Sequence, residues 1–332
     1  MGGEAADAPL WGDPVSAVTG TRVRRPDRAT ASWRWSDRLG LGLAWLLGLL
    51  FCAIAAAIVV YFLLEGIRYL RPSLLVTNPA AASSESQTGG FLDPLLGTLI
   101  IGTMSMAIAV PVGVGIAVWL SEFGRPTALA RVAESAIEMM AGEPSVVLAL
   151  FGLSLFGLGA LGFLSQTTNG VVLGQSFFAA AALLSLVGLP LVVASTREGL
   201  QAIPSHVREA SYAVGKTKIA TTRRVLLPAA RPSVITGTML GLGRVISDTA
   251  IVLLLLGGTL TFQAANSTPL LGLLRGTGDT LTGYIYYNAP TGDGNQPSKA
   301  YAAAFVLMLF VLALNLGVDF VVSRSRKAIT WK

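Results

Sequence analysis

The chain has 332 residues and a mass of 34.5 kDa; 53% of its residues are hydrophobic, 13% are charged, and the mean hydropathy is +0.65. A soluble domain carries about 25% charge, so two ordinary soluble domains are excluded, and so is disorder, which needs few apolar residues. The formal charge is +6, from 24 Lys+Arg against 18 Asp+Glu, and the single cysteine, Cys52, excludes an internal disulfide and a multi-cysteine metal cluster.

In chain order, a polar tail of residues 1–38 precedes the first apolar run, Leu39–Leu64, 26 residues without a charge. That length spans a bilayer core as helix, which takes about 20 residues. We read it as a retained first span and not a cleaved signal, because it exceeds the apolar region of a signal peptide and follows a long polar segment. Pro94–Ser121 is a second uncharged stretch of 28 residues. Pro144–Thr196 has 53 residues with no charge and is divided into two spans by the polar break Ser165-Gln166-Thr167-Thr168-Asn169-Gly170. Ser233–Leu256 is the fifth span and carries Arg244 and Asp248; Ala300–Ser323 is the sixth and carries Asp319. The expected fold class is all-α integral membrane with six transmembrane helices, since barrel strands would alternate over about 10 residues.

Charge then sets orientation. The tails, the loop after span two and the loop Arg197–Arg231 together hold 19 of the Lys and Arg residues, whereas the opposite loops hold 4 (Arg68, Arg71, Arg275 and Lys299). The positive-inside rule places both termini and the Arg197–Arg231 loop in the cytoplasm. The basic excess is topology, not a nucleic-acid footprint. Trp33, Trp35 and Trp119 fall where an aromatic belt is expected. Pro111, Pro144 and Pro190 lie within or at the start of spans, where a bundle tolerates them.

The longest cytoplasmic connection contains Arg208-Glu209-Ala210-Ser211-Tyr212-Ala213-Val214-Gly215-Lys216 and then Val225-Leu226-Leu227-Pro228. Val207, Ala210 and Val214 line one side of a predicted short helix, and Gly215 ends it in a left-handed cap. Physics alone leaves two readings, a docking element for a partner or a solvated membrane-surface loop.

Glu-Ala-Ser, three residues, Gly215, nine residues and Val-Leu-Leu-Pro resemble the EAA loop of ABC importer permeases. Gly97-Thr98, Val110-Pro111-Val112-Gly113 and Leu120-Ser121-Glu122-Phe123 resemble the second span of phosphate permeases in particular. Pro144-Ser145-Val146-Val147 and Gly243-Arg244-Val245-Ile246-Ser247-Asp248-Thr249-Ala250 resemble two further segments of theirs. The Thr-Ala ending favours the PstA type of subunit over the PstC type. Two departures stand out: Ser247-Asp248 replaces Gly-Glu, and Glu143 occupies a position that is usually apolar.

The resemblance implies a type I, MetI-like permease fold. It implies a tail (1–38), an additional first helix (39–64), a five-helix core (92–323) with a coupling loop (197–231), and a short C-terminal tail (324–332). It implies import of inorganic phosphate across the inner membrane. The implied partners are a second homologous permease subunit, an ATP-binding cassette ATPase dimer and an extracytoplasmic phosphate-binding protein. Arg208, Glu209, Ala210, Gly215 and Lys216 are expected at the ATPase contact. No catalytic residue, cofactor or metal is expected. The rival readings are the same architecture importing molybdate or sulfate, an ion-coupled secondary transporter, and a membrane scaffold without transport.

Residues Ala210–Thr217 also fit a relaxed phosphate-loop pattern, but the stricter one needs Gly where Ala210 stands, after a strand. His206, the only histidine, has no clustered ligands around it. Arg244 and Asp248 are four apart and are expected to share a helix face, continued by Gly237 and Gly241. Each charge costs about 2.5–3.5 kcal/mol at a span centre on insertion scales, so the face is expected to meet a partner helix or a water-filled path. Arg244, Asp248, Ser247 and Thr249 are the candidate anion path, with a structural Arg–Asp pair as the alternative. Glu143 and Ser145 are secondary candidates. Glu134 and Glu138 read as a solvated stripe, Tyr284-Ile285-Tyr286-Tyr287 as an interfacial anchor, and Gly276–Asp279 and Gly292–Asn295 as turns.

Overall fold

The computed structural model describes residues 35–79, 89–124, 126–165, 167–168, 171–258, 262, 272, 274–294 and 296–326. The expectations on the tail before Trp35, on the last six residues, and on Gln166, Asn169, Gly170 and Asn295 lie outside these described residues. The chain forms two compact units, one ending at Ile58 and one beginning at Val59. The described part of the first unit belongs to α1 (Trp35–Tyr69). From Leu39 to Ile58 its large apolar side chains are exposed on every side. Such a surface needs lipid or another helix around it.

The second unit is built on three long helices: α2 (Leu92–Val118), extended by a π-type turn at Trp119–Phe123, α5 (Phe177–Gln201) and α8 (Leu227–Ile246). Ser176 starts α5 by accepting from the Ala179 N–H at 3.0 Å. α2 runs parallel to α5, with Met106 against Gly188 and Gly113 against Val192. α8 runs antiparallel to it, with Ser233 against Gly199 and Gly237 against Ser195. A Cβ at Gly241 would stand 3.1 Å from the Gly188 carbonyl oxygen, so the two backbones nearly touch. The expected small-residue stripe at Gly237 and Gly241 is therefore a packing seam. Between helices in lipid this close approach supplies dispersion energy, because burial from water contributes little there.

Two expected spans are drawn differently. The third is a bent pair, α3 (Ala128–Gly142) and α4 (Ser145–Phe156), with 104° between them. α4 alone is about 18 Å long, short of the ~30 Å hydrocarbon core. The Glu143-Pro144 step turns the chain, since the residue before a proline is driven out of helical geometry. The fifth span begins earlier and stops earlier, running Lys218–Ile246 through α7 (Lys218–Thr221), a π-type turn at Thr222–Leu226 and α8. A separate helix, α9 (Ala250–Leu255), follows.

Past α4 come a 3₁₀ stretch (Gly159–Leu164) and a two-residue antiparallel pair, Thr167–Thr168 with Val171–Val172. α6 (Ser205–Ala213) lies between α5 and α7. α10 (Leu281–Asn288) and α11 (Pro297–Arg326) complete the unit. Tyr284 of α10 is buried against Phe91, whereas Tyr286 is exposed, so the tyrosine run divides between core and surface.

Candidate functional site

Arg244 sits two residues before the end of α8, and Ser247-Asp248-Thr249 interrupts the helix. The cause is local. The Ser247 hydroxyl donates to the Arg244 carbonyl at 3.0 Å, and Asp248 Oδ1 accepts from the Ile251 N–H at 3.0 Å. Short polar side chains compete in this way with the helix ladder. The expectation that Arg244 and Asp248 share one helix face is thereby corrected. Asp248 is buried and begins the turn into α9, whereas Arg244 is exposed at the edge of the seam formed by Gly237, Gly241 and Val245. Among the described residues neither belongs to an ion pair. Ser247 is exposed and Thr249 half-buried.

What Arg244 does share is a cavity of about 300 Å³ with Glu143, Ser145, Met140, Leu148 and Leu186. One water needs roughly 10–15 Å³ by the same measure, so a small hydrated anion fits. Leu186 is about 14 Å along α5 from its first residue, so the cavity lies partway along that helix, and it opens to the surface past the exposed Glu143 and Arg244. Two helix interruptions face it: the α3–α4 bend, which supplies Glu143 and Ser145, and the α8–α9 break, which supplies Arg244. No side chain caps the first turn of α4. Helix N-termini carry a partial positive charge and free N–H groups.

At the other end of α8 the sequence pattern becomes an elbow. α6 ends in a left-handed glycine, with Gly215 at φ +81°. The Gly215 N–H donates to the Tyr212 carbonyl at 2.8 Å and the Lys216 N–H to the Ser211 carbonyl at 3.2 Å, the double closure of a glycine-capped helix. Ser211, where the loop pattern usually has alanine, places its hydroxyl 2.9 Å from that of Thr221 and so ties α6 to α7. Glu209, Ala210, Gly215 and Lys216 are exposed together, with Val214 at 80% and Ile219 at 70%. A helix, not a strand, leads into Gly215-Lys216-Thr217, so the geometry of a phosphate loop is absent there.

Arg208 alone of the expected contact residues turns inward. Its guanidinium reaches Glu122 Oε1 at 3.0 and 3.2 Å and the carbonyls of Leu200 and Ile203 at 2.7 Å. Sequence reasoning noted the Leu-Ser-Glu-Phe segment without a role for it. In the fold Glu122 clamps Arg208, and the neighbouring Phe123 ring lies 5.0 Å beneath the Lys218 ammonium. Glu134, taken as part of a solvated stripe, pairs with Arg197 at 2.7 Å and pins α3 to α5. Gly97-Thr98 also gains a function: the Thr98 hydroxyl accepts from the Leu281 N–H at 2.9 Å, and Gly97 leaves room for the Asp279 carbonyl.

Residues 109–328 match the family model described as "Binding-protein-dependent transport system inner membrane component". Among curated proteins, the phosphate transport system permease protein PstA 1 of Mycobacterium tuberculosis (strain ATCC 25618 / H37Rv) is 34% identical over 246 residues, 73% of this chain and 74% of that protein. The phosphate transport system permease protein PstC of Xylella fastidiosa (strain 9a5c) is 29% identical over 249 residues, 71% of this chain and 72% of that protein. Among solved structures, a chain of the inward-facing MetNI methionine ABC transporter superposes with a TM-score of 0.51 at 20% identity, covering 71% of this chain and 94% of that one. The all-helical architecture, the helix bounds and these matches agree: the chain belongs to the binding-protein-dependent transport system inner membrane components, and it is a permease subunit of an ABC importer, not an enzyme.

Proposed function

We propose that the chain forms half of an inorganic phosphate pathway and that a second, similar permease subunit forms the other half. The observation that carries the anion path is the cavity joining Arg244, Ser145 and Glu143 at two helix breaks. Discontinuous helices at depth are where transporters bind ions, since only there do unpaired backbone groups and helix termini meet a ligand. Guanidinium supports an oxyanion well: it presents a planar fork of donors and stays charged when desolvated. The 34% identity to a phosphate permease supports phosphate as the anion.

Both termini and the α6–α7 elbow face the cytoplasm in this reading, in keeping with the distribution of Lys and Arg. An ATPase dimer docks on the exposed Glu209, Ala210, Gly215 and Lys216, and an extracytoplasmic binding protein delivers phosphate at the opposite face. ATP then shifts the bundle between inward- and outward-open states through contacts that differ between them. The test is ATP-driven uptake by membrane vesicles carrying the complete transporter. Labelled phosphate accumulates, and unlabelled phosphate competes while sulfate and molybdate do not. Accumulation of sulfate or molybdate in its place reassigns the substrate, and accumulation without ATP overturns the ATP-driven reading.

A further inference from the structure

We infer that Glu143 makes the cavity selective for oxyanions that carry a proton, which Glu143 accepts in a hydrogen bond while Arg244 and Ser145 donate to the bare oxygens. This rests on the reading of the cavity as an anion site and adds how the site tells one tetrahedral anion from another.

The residues around the cavity divide by chemistry. The charged groups lining it are Arg244 and Glu143, and Ser145 supplies a hydroxyl; Leu148, Leu186, Val187 and Met140 are apolar. Arg244 donates only, the hydroxyl does either, and an ionised carboxylate accepts only. Among the described residues Glu143 and Arg244 do not close on each other as an ion pair, so the carboxylate is not spent on neutralising the guanidinium. Asp248, the acidic residue that the sequence pairs with Arg244, is buried and occupied by the Ile251 N–H. The acid facing the space is therefore Glu143, at a position where the motif usually carries an apolar side chain. It sits at the α3–α4 bend, with extended backbone at φ −73° and ψ 133°.

Inorganic phosphate and arsenate keep at least one proton at neutral pH; sulfate and selenate keep none. A protonated oxyanion puts an O–H against Glu143 and satisfies both partners. An aprotic one sets acceptor against acceptor and negative charge against negative charge, which is costly. A site built around a substrate hydroxyl rejects analogues that lack it far more strongly than it could by size alone.

The experiment uses the complete complex in nanodiscs, without nucleotide and without the binding protein, so that the binding protein's own selectivity is absent. Bound labelled phosphate is displaced by arsenate, sulfate or selenate at one neutral pH. In wild type, arsenate displaces it like phosphate, and sulfate and selenate need at least about tenfold more. In Glu143→Gln, whose amide can donate, phosphate still binds and the sulfate and selenate curves move to within about threefold of arsenate. Glu143→Ala moves in the same direction, and co-purification of the ATPase subunit verifies that both variants assemble. A wild-type complex that does not discriminate, or variants that keep the wild-type gap, overturn the inference. Absence of specific phosphate binding to wild type overturns the site itself. If ATP-driven phosphate uptake by the complete system is absent, the substrate reading fails separately.

Discussion

Arg208 and Glu122 are 86 residues apart and form a two-point contact, Nε and Nη2 to a single carboxylate oxygen at 3.2 and 3.0 Å. The pair is largely screened from solvent, with side-chain exposures of 22% and 6%. It joins the π-type turn that extends α2 to α6. Breaking a buried pair costs about 3–5 kcal/mol, and the partial exposure of Arg208 brings the expected loss to roughly 2–3 kcal/mol. Arg208→Ala lowers the melting temperature of the purified complex and reduces recovery of the ATPase subunit. Arg208→Lys restores neither, because an ammonium cannot serve Glu122 and two carbonyls from one plane. Equal melting of Arg208→Ala and wild type contradicts the clamp.

Gly215 holds a left-handed backbone at the end of α6. An alanine there costs about 1–2 kcal/mol, and asparagine costs less. Gly215→Ala is expected to slow phosphate uptake several-fold, with Gly215→Asn intermediate. The order of the three uptake rates at equal membrane levels is the check, and alanine matching glycine removes the cap from the account.

Arg244→Gln keeps size and loses charge. The complex assembles normally, phosphate uptake falls by at least about tenfold, the loss of one charged hydrogen-bonding group, and coupled ATP hydrolysis falls with it. Unchanged uptake at unchanged membrane levels removes Arg244 from the path.

Asp279 lies outside the spans, next to α10, and burial pushes its carboxyl up from 3.8 to about 7 against the opposing Thr280 N–H. Its folded pKa exceeds the unfolded one, so the stability it contributes is complete below about pH 4. That stability is lost as pH rises through about 7. The full swing is on the order of 4 kcal/mol. Wild type therefore melts at a lower temperature at pH 8 than at pH 5.5, and Asp279→Asn flattens this difference while retaining an acceptor for Thr280. A pH-independent wild-type melting curve, or an equally steep one in the variant, refutes it.

Long apolar runs made the spans legible from sequence, because hydropathy is summed over many residues. The elbow was legible because its pattern fixes a local geometry: a helix, a left-handed glycine and a second helix. Interruptions were not. Ser247 and Asp248 looked like helix residues, and only their hydrogen bonds to Arg244 and Ile251 reveal the break. The Glu122–Arg208 and Glu134–Arg197 pairs were hidden for another reason: nothing in a single sequence states which acid meets which base across 86 or 63 positions. Glu143 read from the sequence only as a secondary candidate, and it is the α3–α4 bend that brings it to the cavity shared with Arg244.

The tie between Ser211 and Thr221 fastens α6 to the start of one continuous 29-residue span, and Arg244 stands near its other end. The span is thus a lever with its handle at the α6–α7 elbow and its tip at the cavity. From Thr222 to Arg244 the arm is about 33 Å. A tilt of about 5° at the handle sweeps the guanidinium through about 3 Å, comparable to the reach of a hydrogen bond. Arg244 is placed where small motions of the elbow are largest.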